Sequence, residues 1–126
     1  MNPYDAAHHL VKAIRESGEF KEFKKARDDL KSDPSAKKMF IDLRSKQIEL
    51  QKQSLSGIEV SQEQKEKVNK LLEVVSMNMV AKRFLETEYK MARLMQDVQN
   101  IIGEAVEEIH DEDLMTISED DSNGKE

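Results

Sequence analysis

The feature that most constrains the fold of this chain is a regular apolar pattern between residues 77 and 109. Apolar side chains recur there at the i, i+3, i+4 and i+7 positions of one long amphipathic helix: Met77, Val80, Ala81, Phe84, Met91, Leu94, Met95, Val98, Ile101, Ile102, Ala105 and Ile109. Their arc is about 200° wide, roughly twice what a helix lying on a surface needs. Such a helix would span roughly 45 Å. We therefore expect it to pack on more than one side, with a second copy of the chain covering part of it.

A shorter helix is expected to begin at the Asp33-Pro34 cap and to run to about Ser54. It carries two apolar stripes. The first consists of Ala36, Met39, Phe40, Leu43 and Leu50, and the second consists of Ile41, Ile48 and Leu55. The stripes lie about 130° apart round the helix. They predict two packing partners, one in the same chain and one across an interface.

The long helix and the second stripe together predict a surface for a second copy or for another protein. Several positions of the long helix keep the seven-residue step of a coiled-coil seam. The predicted interface residues are Ile41, Ile48, Met77, Phe84, Glu88, Met91, Met95, Val98 and Ile102.

Cap signatures divide the rest of the chain into further helices. Asn2-Pro3 marks the start of a first helix that ends at Ser17-Gly18, and a second helix follows from Glu19. Ser61 and Gln64 form a capping box for a fourth. The predicted fold is all-α: an elongated bundle of about five helices with one long C-terminal helix, which oligomerises through helix–helix packing.

No glycine or proline separates the fourth helix from the long one, so their phase decides whether they are continuous. In one continuous helix, the apolar stripe of residues 68–75 would lie on the face opposite Phe84. A break at residues 76–78, with Asn78 as a new N-cap, removes this conflict. Gly103 is expected to stay inside the long helix, because the apolar pattern continues in phase beyond it.

The charges are unevenly distributed along the chain. Residues 111–126 contain seven acids and one base, whereas residues 1–110 contain nineteen acids and nineteen bases. A segment with one sign of charge and few apolar residues does not order itself. We therefore expect a helical domain at residues 1–110 and a disordered acidic tail at residues 111–126. Such a tail repels nucleic acid, which is not an expected partner.

Composition argues against several further classes of protein. No run of eighteen apolar residues is present, so we expect no membrane insertion. The N-terminus lacks the apolar segment of a secretory signal. The absence of cysteine excludes disulfides, thiolate metal sites and cysteine nucleophiles. Together these features predict a cytoplasmic protein.

Glu88 is the ionisable residue nearest the middle of the apolar arc on the long helix. One hypothesis makes it a buried carboxylate with a raised pKa or a metal ligand. The other makes it a polar residue that fixes helix register by pairing with a Lys, Arg or His of a neighbouring helix. The second is favoured, because no Glu-x-x-His partner of the kind found in di-iron bundles is present.

No catalytic or cofactor site is predicted. The sequence lacks a Gly-rich phosphate loop, a Ser/His/Asp set and zinc-ligand spacing. His8 and His9 would point about 100° apart on a helix, so they cannot chelate one ion together. The basic residues between positions 21 and 31 alternate with acids, which is typical of a solvated helix face. We expect no catalytic, cofactor-binding or metal-binding residues, and no enzyme activity.

The helix order and two motifs are similar to those of a known family. The motifs are DPSAKKMF at residues 33–40 and DVQNIIGEA at residues 97–105. With the short first helices and the capping box, they resemble the YheA branch of the YlbF/YmcA family of small helical bacterial proteins, over residues 1 to about 110. The resemblance implies an all-helical, oligomeric, cytoplasmic protein. It also implies kinship with YlbF and YmcA, which act in the control of competence, biofilm formation and sporulation and in RNA processing.

The YlbF/YmcA complex carries iron–sulfur clusters, but this chain has no cysteine to supply cluster thiolates. The expected function is that of a non-enzymatic helical interaction or regulatory protein, whose partners are a second copy and other cytoplasmic proteins. The alternative is a holdase-like or nucleic-acid-associated helical protein. Salt-sensitive co-purification of RNA favours the alternative, whereas a defined protein partner favours the first function.

Overall fold

The computed structural model describes residues 1–115, and these residues form six α-helices and no β-strand. The helices are α1 (Pro3–Glu16), α2 (Gly18–Lys31), α3 (Pro34–Leu55), α4 (Gln62–Met77), α5 (Met79–Glu107) and α6 (Glu112–Met115). The all-α class and the long helix toward the C-terminus, both predicted from the sequence, are confirmed. The sixth helix is a single turn beyond the five expected. Within this described part of the chain, no helix is both long enough and apolar enough to cross a bilayer.

The chain divides into two compact units, Met1–Met91 and Ala92–Glu126, and the division falls within α5. The acidic segment predicted at residues 111–126 belongs to the second unit. Its first residues include α6, and residues 116–126 lie outside the described residues. The disorder of this segment and the domain boundary at residue 110 therefore stay predictions.

The predicted N-caps are confirmed by side-chain hydrogen bonds. Oxygen atoms of Asn2, Asp33 and Ser61 accept the backbone N–H groups three residues farther on, at 2.8, 3.0 and 3.1 Å. Gln64 Oε1 accepts the backbone N–H of Ser61 at 2.9 Å, which completes the capping box. Asn78 caps α5 in the same way at 3.0 Å, so the break expected between α4 and α5 is also confirmed.

Ser17 joins α1 to α2 without any loop. Its backbone N–H donates to the carbonyl of Ile14 at 3.1 Å and so ends α1. Its Oγ accepts the backbone N–H of Phe20 at 3.2 Å and so caps α2. The second helix therefore begins at Gly18, one residue earlier than the sequence pattern indicated.

The turn between α3 and α4 contains Gly57, whose φ of 80° lies in the left-handed region. The amide groups of Gln53 and Gln64 exchange two hydrogen bonds across the ends of the helices, at 3.0 and 2.9 Å. These contacts close α3 and α4 into a helical hairpin.

The core of the first unit lies where α2, α3, α4 and the start of α5 meet. Its buried apolar side chains are Ala26, Leu30, Ala36, Leu43, Val75, Ala81 and Phe84. The Phe84 ring packs against the rings of Phe23 and Phe40, with centroids 5.3 and 4.9 Å apart. This small core, with aromatic rings from three helices at its centre, holds α2, α3 and α5 together.

Two glycines provide a matched test of backbone conformation. Gly57→Ala is expected to lower the free energy of unfolding by about 1 kcal/mol, because an L side chain is strained at positive φ. Gly103→Ala is expected to raise it by up to about 1 kcal/mol, because the residue lies inside α5. A Cβ at either position meets no atom within 4 Å, so packing does not confuse the comparison. Chemical denaturation measures both changes, and changes of the same sign would contradict this account.

Candidate functional site

Glu88, on the part of α5 that belongs to the first unit, is paired within its own chain. Arg44 of α3 donates a hydrogen bond from Nη2 to Glu88 Oε1 at 2.5 Å. The Arg44 guanidinium also lies over the ring of Phe40, with Cζ 4.8 Å from the ring centroid. This arrangement agrees with the hypothesis that Glu88 fixes helix register. That hypothesis expects a basic side chain on a neighbouring helix to match the charge of the carboxylate.

The pair is half-buried, and its hydrogen bonds are incomplete. The side chains of Arg44 and Glu88 are 37% and 33% exposed. Arg44 Nε is buried and has no hydrogen-bond partner among the described residues. Glu88 is the acceptor that the guanidinium bonds, and this contact links α3 to the first part of α5. Over residues 1–115, no group of three His, Cys, Asp or Glu side chains is arranged to hold a metal ion.

The predicted interface residues of the first unit are divided between core and surface. Ile41 and Ile48 are 47% and 43% exposed, and with Leu55 they form an uncovered surface that we name the α3 stripe. Met77 is exposed at the end of α4. Phe84, in contrast, is 9% exposed and lies in the core of its own chain, so it has little surface to offer a partner.

The remaining predicted residues lie farther along α5. Met91, at the end of the first unit, is half-buried. In the second unit, Met95 and Val98 are half-buried and Ile102 is exposed. Contact of these residues with a second copy stays a prediction.

The last turns of α5 and the residues after it form a surface that we name the acidic end, residues 101–109. Its four large apolar side chains are more than half exposed: Ile101, Ile102, Val106 and Ile109. Glu104, Glu107 and Glu108 accompany them, and the sequence contains no lysine or arginine between Arg93 and Lys125. The acidic end is therefore apolar on one face, and its charged side chains are all glutamates.

A groove between α3 and α4 in the first unit is lined by residues of the opposite charge. We name it the α3–α4 groove; it has a volume of about 370 Å³ and is lined by Lys46, Lys67, Lys70, Leu71 and Val74. Val74 is 49% exposed. The groove thus combines two apolar side chains with three lysine side chains.

This groove was not predicted from the sequence, although Lys67, Lys70 and Val74 give part of its signal. Lys67, Lys70 and Val74 follow the i, i+3, i+7 spacing of one helix face. The contribution of Lys46 was not visible, because it depends on how α3 packs against α4.

A larger cavity, of about 460 Å³, lies between α2 and the start of α5 in the first unit. It is lined by Glu22, Lys25, Arg83, Glu86, Thr87 and Lys90. The Thr87 hydroxyl bonds to the backbone carbonyls of Arg83 and Phe84, at 2.9 and 3.1 Å. The buried hydroxyl is therefore engaged by its own helix, and the charges around it are of both signs.

The family model described as control of competence regulator ComK, YlbF/YmcA, matches residues 4–107, which contain α2 to α5 and nearly all of α1. The chain belongs to the YlbF/YmcA family. The family predicted from the helix order and the two motifs is thereby confirmed, and the YheA branch is consistent with it.

Relatives of this YlbF/YmcA chain are similar over most of their length. The UPF0342 protein STH1710 of Symbiobacterium thermophilum is 41% identical over 104 residues, which cover 82% of this chain and 93% of the relative. A UPF0342 protein of Alkalihalophilus pseudofirmus is 36% identical, with coverage of 86% and 92%. The solved structure of a protein of unknown function (DUF964) from Bacillus stearothermophilus matches with a TM-score of 0.76 and 28% identity, over 86% of this chain and 96% of that one.

Proposed function

We propose that this YlbF/YmcA-family protein is a non-enzymatic cytoplasmic interaction protein, which self-associates and controls other proteins through helix–helix contacts. The observation that carries the proposal is the α3 stripe. Its three side chains, Ile41, Ile48 and Leu55, follow one another at seven-residue steps and are 47%, 43% and 81% exposed. A row of this spacing on a helix fits the apolar face of a partner helix.

The intrachain packing of α3 supports this use of the stripe. A different face of α3 packs in the core, where Ala36 and Leu43 are fully buried. The core therefore does not use the α3 stripe. Exposed apolar side chains aligned on one helix face are the kind of surface that a protein–protein interaction site uses. The description of the family as one that controls a competence regulator agrees with a function exerted through such contacts.

A photocrosslinking experiment tests the proposal in the native cell. A benzophenone amino acid replaces Ile48 in one variant and Lys12, an exposed residue of α1, in a matched control. We expect discrete crosslinked products between the Ile48 variant and one or a few proteins, because the α3 stripe is the contact surface. The Lys12 variant should not give these products.

The other outcomes of this experiment contradict the proposal. Crosslinks from position 48 to many unrelated unfolded proteins would indicate a holdase-like protein. Crosslinks to RNA would indicate a nucleic-acid-associated protein. Identical products from positions 48 and 12 would show that the α3 stripe is not a specific surface.

A further inference from the structure

The first unit and the last turns of α5 present apolar surfaces with opposite charges. The α3–α4 groove is lined by the apolar side chains of Leu71 and Val74 and by three lysines. The acidic end has exposed isoleucine and valine side chains accompanied by glutamates, with no lysine or arginine between Arg93 and Lys125. Charge complementarity of this kind selects between partners and orients them.

The lysines of the groove are available to a new partner. Within residues 1–115, the Lys70 side chain is in none of the ion pairs. Lys46 and Lys67 pair only with acids of their own helices, Glu49 at 3.4 Å and Glu63 at 3.6 Å. These pairs are exposed, and exposed pairs contribute little stability and exchange readily.

The spacing of the charges also matches. Lys67 and Lys70 lie about one turn apart on the face of α4 that also carries Val74. Glu104 and Glu108 lie about one turn apart at the edge of the apolar face of the acidic end. Two helices packed along each other can therefore form two ion pairs beside one continuous apolar contact.

We propose that the α3–α4 groove of one copy binds the acidic end of α5 from a second copy. The inference rests on the proposed function, of which self-association is a part, and it names the surfaces that meet. Because every copy carries both surfaces, a two-fold dimer makes the same contact twice. A second copy of the chain already has the features that the groove requires of a partner, which are negative charge, exposed apolar residues and a helical backbone.

Charge reversal of either surface tests the proposal in the full-length protein. One variant carries Lys67→Glu and Lys70→Glu, and another carries Glu104→Lys and Glu108→Lys. Each is expected to weaken self-association about tenfold or more, because like charges then face each other. Sedimentation velocity measures the dissociation constant, and far-UV circular dichroism verifies that the helices are intact. Lys12→Glu with Lys21→Glu, at exposed positions outside both surfaces, is the matched control and should not change association.

Mixing the two variants gives the decisive result. In an equimolar mixture, the acidic groove of one variant faces the basic helix of the other, and the reverse contact is equally complementary. We expect association to return close to that of the wild type, and the variant that combines all four substitutions should also self-associate. If the reversed variants associate as the wild type does, or if mixing restores nothing, the inference is wrong.

The remaining outcome separates this inference from the proposed function. A wild-type protein that is monomeric at every accessible concentration would overturn both the inference and the self-association within the proposed function. Self-association that is unchanged by all the charge reversals would overturn only the inference. Contact of the α3 stripe with other proteins is tested separately, by crosslinking from position 48.

Discussion

Phe84→Ala is expected to lower the free energy of unfolding by about 3 to 5 kcal/mol, the largest effect of any substitution considered for this protein. The Phe84 ring is 9% exposed and contacts Phe23 of α2 and Phe40 of α3. Its removal leaves a cavity where three helices meet and removes two aromatic contacts. Since small domains are stable by about 5 to 15 kcal/mol, this loss is a large fraction of the total stability. Urea denaturation measures it.

An exposed apolar position on α3 serves as the control for Phe84, which lies on α5. Ile48→Ala is expected to change the unfolding free energy of the isolated chain by less than about 1 kcal/mol, because Ile48 is 43% exposed. Phe84 was predicted from the sequence as an interface residue, so the two variants also distinguish core from interface. A Phe84→Ala protein that unfolds like the wild type but no longer self-associates would contradict the core assignment.

The second large effect is expected at the ion pair between α3 and α5. Arg44→Ala should lower the unfolding free energy by about 1 to 3 kcal/mol, because it removes a charge-assisted hydrogen bond and the contact with Phe40. Glu88→Gln should keep the fold, since an amide oxygen can still accept from the guanidinium. Glu88→Leu should cost less than Arg44→Ala, because the Arg44 side chain is 37% exposed and can turn its charge toward water.

A double-mutant cycle separates the pairing from these other contributions. The coupling between Arg44 and Glu88 should be about 0.5 to 3 kcal/mol, as found for residues in direct polar contact. Arg44→Met combined with Glu88→Leu should be close to neutral or stabilising, because an apolar pair avoids the desolvation of two charges. Strict additivity of the single substitutions in thermal or chemical denaturation would show that the pair does not contribute.

The helix boundaries were predictable because their signals are local. Asn2, Asp33, Ser61 and Asn78 each accept a backbone N–H three residues away, so a short stretch of sequence contains both partners of the bond. The break at Asn78 also followed from helix phase, which depends only on residue spacing. Such features do not depend on the rest of the fold.

The use of each apolar face was not predictable in the same way. Phe84 and Ile48 both lie on apolar stripes, but Phe84 packs in the core and Ile48 is uncovered. Helix periodicity shows that a face is apolar without showing which element covers it. The partner of Glu88 was expected to be basic and on another helix, but Arg44 is 44 positions away along the chain. Only the packing of α3 beside α5 selects it from the other basic residues.

The single-residue junction at Ser17 restricts how this chain can change in length. Ser17 makes a hydrogen bond that ends α1 and another that caps α2. No loop residue therefore lies between the two helices. Inserting one residue into either helix would rotate everything beyond it by about 100° relative to its packing partners. The connection at Asn78 has the same property. Insertions and deletions that leave the first unit intact are therefore confined mainly to residues 56–61, where a true turn can absorb them.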